Sequence, residues 1–246
     1  MKRTETVLIT GAATGIGRST AELMAAMGCQ VVLACNQSFR EGLAFARALS
    51  EMGLSAVAMK ADVSRREEVD AMFAQIERLY GGVDILINNA GVAQQKLFTD
   101  ITAEDWAAMI GVNLTGVFHC TQAALPYMIR QKRGSIVNVS SIWGLCGASC
   151  EVHYSAAKAG VIGLTKALAK EVGPSGIRVN CVAPGVVNTR MNQNLDGETL
   201  AQLREETPLG TVGTPEDIAR SIVFLAMEDS CFTTGQVLSP NGGIVI

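Results

Sequence analysis

Tyr154 and Lys158 stand four residues apart in Tyr154-Ser-Ala-Ala-Lys158. That spacing sets a phenol and an ammonium on one face of a helix. A phenol with a pKa of about 10 is a poor base at neutral pH, and a neighbouring cation favours its ionised form. A tyrosine tuned in this way can donate a proton to an alkoxide or remove one from an alcohol. Taken alone, the pair also fits an ordinary solvated helix face. Its place in the chain favours the chemical reading. The helix it opens follows a β-branched run, Ser135–Ser140, so Tyr154 falls near the carboxyl ends of the strands, where such sheets bind ligands. Ala156, Ala157, Ala159 and Gly160 leave the helix backbone open to close packing.

A second pattern is Thr10-Gly11-Ala-Ala-Thr14-Gly15-Ile16-Gly17. Glycines let the backbone pass close to a pyrophosphate, and a helix N-terminus offers free N–H groups and a favourable dipole. The spacing Gly-x3-Gly-x-Gly differs from the commoner Gly-x-Gly-x-x-Gly. A bare strand-to-helix turn would also use glycines. Directly after the first strand, the pattern points to a dinucleotide.

The elements that must position these groups follow from periodicity. Strands are expected at Thr6–Thr10, Gln30–Ala34, Ser55–Lys60, Val83–Asn88, Ser135–Ser140, Arg178–Val182 and Gln236–Ser239. Helices are expected at Gly15–Met27, Phe39–Met52, Arg66–Tyr80, Ala103–Asn113, Gly116–Gln131, Val152–Val172 and Pro215–Ala226. Runs such as Val-Leu-Ile are apolar on both faces, as in a parallel sheet covered by helices on each side. The predicted architecture is α/β, a single doubly wound Rossmann-type domain over residues 1–246, with a seven-stranded, mostly parallel sheet. The polar stretch Arg190–Gly210 is expected to form a lid.

Composition excludes several classes. A net charge of −3 with no basic run argues against nucleic-acid binding. Val7-Leu-Ile9 is too short for a signal peptide or a membrane span, and no other apolar stretch reaches spanning length. Seven cysteines without a CxxC pair fit a reducing cytoplasm, and two histidines in the whole chain make a metal site improbable even with Cys146 and Cys150 close in sequence.

Both motifs, with the length, resemble the short-chain dehydrogenase/reductase family over essentially the whole chain. Asp62-Val63, Asn88-Asn-Ala-Gly91, Asn113, Ser140-Ser141 and Pro184-Gly185 agree in chain order. The resemblance implies a ketone–alcohol oxidoreductase using a nicotinamide cofactor. It implies that Tyr154 is the proton donor and that Ser141, thirteen residues before it, holds the substrate oxygen; Ser140 is the competing hydroxyl. Lys158 is implied to bind the nicotinamide ribose and lower the tyrosine pKa, and Asn113 to kink a helix whose backbone carbonyl holds a relay water. Gly11, Thr14, Gly15, Ile16 and Gly17 are implied at the pyrophosphate, and Asp62 and Val63 at the adenine. Asn89, Ala90 and Gly91 are implied under the adenosine ribose, and Pro184, Gly185, Val187 and Thr189 around the nicotinamide. Asp62 as a helix cap and Pro184-Gly185 as a plain turn are the bland alternatives.

Within the family the chain most resembles bacterial 3-oxoacyl-(acyl-carrier-protein) reductases. The alternatives are a reductase of a free small ketone, sugar or hydroxysteroid and, from another class, a non-catalytic nucleotide-sensing protein. The expected pocket is Ile142–His153 with the lid; Trp143 and Leu145 suit an apolar floor or the core, and His153 suits a substrate contact or, more often for such a residue, a partly exposed helix start. A landing site for an acidic carrier is sought in Arg130, Lys132 and Arg133, with Lys170 and Arg178 standing in for a basic residue where Ser175 occurs. NADP(H) is favoured over NAD(H), because Cys35 and Asn36 replace the acidic residue that repels a 2′-phosphate, with Arg40 as a candidate counter-charge and Thr14 as a departure from the NADP pattern. A homotetramer is expected, partly because the apolar end Ile244-Val-Ile246 needs an interface or a core to cover it.

Overall fold

The computed structural model describes residues 4–192 and 197–246. Seven strands form one sheet: β1 (Thr6–Thr10), β2 (Gln30–Cys35), β3 (Ala56–Lys60), β4 (Ile85–Asn88), β5 (Gly134–Val139), β6 (Ile177–Val182) and β7 (Val237–Leu238). Their order is β3-β2-β1-β4-β5-β6-β7 and every pairing is parallel, as the two-sided apolar runs require.

The helices are α1 (Gly15–Ala26), α2 (Phe39–Glu51), α3 (Arg66–Tyr80), α4 (Ala103–Ile110), α5 (Gly116–Gln131), α6 (Trp143–Cys146), α7 (Val152–Val172), α8 (Gly197–Glu206) and α9 (Pro215–Ala226). Alternate residues of β1 divide the core. Val7 and Ile9 face a cluster with Met24 of α1, Phe45 of α2 and Ile222 of α9. Leu8 faces the other cluster, with Met72 of α3, Met128 of α5 and Val172 of α7. The chain reverses its direction of travel across the sheet between β1 and β4, so a crevice opens at their carboxyl ends.

Expected and observed elements agree closely, with three differences. The helix expected over Ala103–Asn113 ends at Ile110 and passes through a π-helical turn, Gly111–Thr115, before α5. The expected lid carries a helix of its own, α8, after a 3₁₀ turn at Arg190–Asn192; residues 193–196 of that lid lie outside the described residues. Trp143–Cys146 forms the short α6, with Trp143 partly buried and Leu145 exposed, so neither belongs to the core. Among the described residues, no helix is long and apolar enough to cross a membrane.

Candidate active site

The carboxyl end of β5 runs directly into Ser140 and Ser141, and α7 returns across it carrying Tyr154 and Lys158 on one face, both buried. The two serines separate cleanly. The Ser140 hydroxyl donates to the Lys158 carbonyl at 2.8 Å and is committed to holding α7 on the sheet. The Ser141 hydroxyl accepts the Trp143 N–H at 3.2 Å and lies close enough to the Tyr154 phenol to favour its ionised form. Ser141 and Tyr154 therefore present two hydroxyls to one point, an arrangement suited to binding and protonating a single oxygen.

The Tyr154 phenol does not meet the expectation of a lowered pKa. Burial pushes it up to about 12; the Ser141 hydroxyl pulls it down, and the Glu151 carboxylate pushes it further up. The Lys158 ammonium lies 5.6 Å from the ring centroid and donates to the Val139 carbonyl at 2.9 Å. Desolvation lowers Lys158 itself to about 8, with the nearby Cys181 acting weakly the other way. Loss of water outweighs the attraction of a cation turned towards a carbonyl. The phenol is thus held protonated at neutral pH, ready to donate.

Asn113 sits at the centre of the π-helical turn and is fully buried. Its amide donates to the carbonyls of Val92 (2.9 Å) and Met109 (3.0 Å), and its oxygen accepts the Val92 N–H at 3.3 Å. Such π-turns concentrate at functional sites. Gly91 explains the close approach here: a Cβ on it would stand 2.8 Å from Asn113 Oδ1 and 3.5 Å from Lys158 Nζ.

The glycine turn passes a direct test of fit for a dinucleotide. Gly11 has φ +66°, and a Cβ there would stand 2.9 Å from Ala90 Cα. A Cβ on Gly17 would stand 2.5 Å from Asn89 Nδ2. Asn89 donates to the Thr10 and Gly11 carbonyls at 3.0 and 3.1 Å, and the N–H groups of Asn89 and Ala90 donate to the Thr10 hydroxyl at 3.0 Å each. The turn is therefore locked against the end of β4. Thr14 occupies the N-cap of α1 and no side chain caps that helix, so the first-turn N–H groups of Gly15, Ile16 and Gly17 are available to an anion. Across the crevice, Thr189 comes within 3.4 Å of where a Gly15 Cβ would be, and Val187 bridges to Gly213. The Pro184 carbonyl accepts the Ile142 N–H at 3.0 Å and the Gly185 N–H donates to Pro240 at 3.1 Å, fixing that wall beside Ser141.

Two further positions flank the crevice. Asp62 does not cap α3, whose N-cap is Arg65; it accepts the Ser64 N–H and hydroxyl at 3.0 and 2.6 Å. Val63 is held by α5: its carbonyl meets His119 Nδ1 at 3.0 Å, and its side chain packs on Gly116. Beyond β2, Cys35 is buried with its thiol against Gly42, and Asn36 is exposed at the carboxyl end of the strand.

Several expectations are corrected. His153 is not partly exposed but fully buried, with Nε2 3.0 Å from Gln94 Oε1. Arg130, Lys132 and Arg133 lie at the amino end of β5, the far end of the sheet from Tyr154. Arg133 pairs with Glu5 and Asp84, and Arg130 with Glu77. Arg178 cannot replace a surface cation, because its guanidinium is bound to the carbonyls at the end of α9. Of the apolar end, Ile244 and Val245 are partly buried and Ile246 is fully exposed in the single chain. The polar rung between His153 and Gln94 had no local signature, since it joins residues 59 apart.

Residues 11–245 match the family model described as enoyl-(acyl carrier protein) reductase. Among curated relatives, the chain is 40% identical to a 3-oxoacyl-(acyl-carrier-protein) reductase of Thermotoga maritima, covering 97% of both chains. It is 41% identical to a Synechocystis reductase of the same name, over 98% of this chain and 97% of the relative. A Staphylococcus aureus reductase, again of that name, is 39% identical over 99% of each.

Proposed function

The chain belongs to the short-chain dehydrogenase/reductase family and is a nicotinamide-dependent oxidoreductase, and from that premise we propose that it reduces the ketone of a 3-oxoacyl thioester borne on acyl carrier protein, with NADPH preferred. The observation that carries the ketone reading is the convergence of the Ser141 hydroxyl, at the end of β5, and the buried Tyr154 phenol, on the first turn of α7. Two hydroxyls converging on one oxygen suit a C=O better than the C=C that the family model's description names.

The nicotinamide, when bound, supplies hydride to the carbonyl carbon. Ser141 then holds the oxygen as negative charge develops on it, and Tyr154 gives it the phenolic proton. Lys158, buried beneath, orients the nicotinamide ribose and offers its charge to the phenolate that remains. The Asn113 carbonyl anchors the water through which that proton is replaced. Gly11, Gly15, Ile16 and Gly17 bind the pyrophosphate, with Thr14 at the turn. Asp62, Val63, Asn89, Ala90 and Gly91 line the adenosine half, and Pro184, Gly185, Val187 and Thr189 the nicotinamide half.

NADPH is favoured because the residue past β2 is Asn36 rather than a carboxylate, with Arg40 exposed four residues on. A free small ketone is the second reading, supported by the far placement of Arg130, Lys132 and Arg133. A cytoplasmic homotetramer is consistent with seven free cysteines and with exposed Trp106, Phe118, Phe232 and Ile246.

The test is Tyr154→Phe, which preserves the ring packing and removes the proton. Turnover of the best ketone should fall about a thousand-fold while nucleotide affinity is retained. Near-normal kcat in that variant removes Tyr154 from the chemistry.

A further inference from the structure

Between the catalytic helix and the loop after β4 runs a short zipper. Lys96 N–H donates to the Cys150 carbonyl at 2.7 Å, Gln95 Nε2 to Glu151 Oε1 at 3.3 Å, and Gln94 Oε1 meets His153 Nε2 at 3.0 Å. The first two rungs lie at the surface side; the third ends on a fully buried imidazole next to Tyr154. From the imidazole that rung continues outward to partly exposed groups. Gln94 Nε2 donates to Asp105 Oδ1 at 3.0 Å, and Asp105 is fixed by Lys96 at 2.5 Å and by the Thr102 capping box that starts α4. Lys96 and the other donors hold the Asp105 carboxyl far below its usual range.

The direction of donation follows from these partners. An ionised Asp105 can only accept, so the Gln94 amide nitrogen faces it and the amide oxygen faces His153. His153 must then carry its proton on Nε2, leaving Nδ1 as a bare lone pair. Nδ1 indeed has no hydrogen-bond partner. A charged anchor thus fixes one glutamine, and the glutamine fixes one imidazole tautomer.

We propose that His153 is the positioning residue for Tyr154: through Gln94 and Asp105 it clamps the first turn of α7 to the first turn of α4 and holds the phenol at Ser141. The proposal rests on the reading of Tyr154 as proton donor. The other end of the same loop is pinned at Val92 by Asn113, so the loop is held on both sides of the residues that would wall the substrate. Ser141 comes from β5 and the loop from β4, and the His153 rung ties the tyrosine turn to that loop from its buried side.

The experiment uses the full chain and two variants, His153→Phe, which keeps a ring, and Gln94→Leu, which leaves the imidazole in place. Nitrogen NMR on the two histidines should show one ring, His153, fixed as the Nε2–H tautomer, and that signal should broaden or mix in Gln94→Leu. With the parent's best ketone, each variant should lower kcat roughly ten-fold or more, with nucleotide Kd changed less than about two-fold. The double variant should be no worse than the poorer single, as for two members of one unit. If either variant loses melting temperature while kcat holds, or if kcat and nucleotide affinity fall together, the residues merely support the fold and the proposal fails. Should His153→Phe not fold, Gln94→Leu decides alone. Tyr154→Phe is measured beside them. An active Tyr154→Phe sinks the donor reading, whereas an inactive one with normal His153 and Gln94 variants sinks only this inference.

Discussion

The two ends of the sheet treat buried polar groups in opposite ways. At the amino end, Arg178 gives hydrogen bonds of 2.6–3.2 Å to Ser135, Ser230 and the carbonyls of Leu225, Ala226 and Met227, closing the open carbonyls at the end of α9. Asp84 there accepts the Thr6 N–H at 2.9 Å and pairs with Arg133. At the carboxyl end, Lys158 is fully desolvated with one carbonyl acceptor, Tyr154 is held far from ionising, and α1 begins without a side-chain cap. Polar groups satisfied by the protein make a scaffold. Groups left wanting a partner make a site, and the difference should be visible when one member of each set is removed.

The largest effect is expected at Lys158. Its folded pKa lies near 8 against an ordinary value of 10.5, so the unfolded chain binds more protons between those values. Stability therefore rises as pH increases from about 8 to about 10.5 and is lowest below that window. Lys158→Met removes a shift worth roughly 3 kcal/mol, less the hydrogen bond to Val139, and should raise stability by about 1–2 kcal/mol at pH 7 while abolishing most turnover. Denaturant melts at pH 7 and pH 10 read this directly: the parent should be relatively more stable at pH 10, and the variant should lose that increment. A variant less stable than the parent at pH 7 would mean that Lys158 is scaffold after all.

The converse holds at the other end. Arg178→Met removes the charged donor from three carbonyls at the end of α9, of which those of Leu225 and Met227 keep bonds from Ser230, and should cost about 2–4 kcal/mol of stability. Because the group is at the far end of the strands, kcat of the folded fraction should be unchanged. A fall in kcat without a loss of stability would erase the distinction between the ends.

How much of this was legible in the sequence depends on how local each cause is. The sheet was readable because both faces of β1, β4 and β5 are apolar, and the glycine turn because glycines with positive φ follow a strand. Tyr154 and Lys158 were readable because four residues make one helical face. The phenol's raised pKa was not, since desolvation depends on every element packed around α7. The π-helical turn around Asn113 was legible only through the family resemblance, which implied a kink there, because an apolar helical pattern continues through it. The end of the sheet on which a basic cluster falls is readable in principle: Arg130, Lys132 and Arg133 precede β5 and Ser141 follows it, so a strand's length must separate them. The inward commitment of Arg178 depends on α9, nearly fifty residues away.

A smaller effect concerns the groove that the carboxyl end offers to the nucleotide. With Asn36 exposed past β2 and Cys35 buried, a 2′-phosphate meets no carboxylate at that position. The expected preference, as a ratio of kcat/KM for NADPH over NADH, is about ten-fold, and Asn36→Asp should reverse it by repulsion. A ten-fold preference for NADH in the parent would show that Arg40 does not reach the phosphate and that the missing acid alone does not decide.

The smallest effect is expected where the amino end was supposed to serve the site. An acidic carrier needs a basic surface beside the pocket mouth, yet Lys132 is separated from Ser141 by the whole of β5, about 20 Å of strand. Arg133→Glu is a poor probe because it sets a carboxylate against Glu5 and the buried Asp84. Lys132→Glu avoids that conflict: Lys132 ends α5 with φ 52° and takes no part in those ion pairs. If the carrier docks on the subunit that reduces its cargo, the change should alter KM for an acetoacetyl carrier by less than about two-fold at low salt, where surface charges act most strongly, and should spare a small acetoacetyl thioester. A five-fold rise confined to the carrier substrate would mean that one subunit presents its amino end beside the mouth of another. The division between scaffold and site would then hold within each chain but not across the assembly.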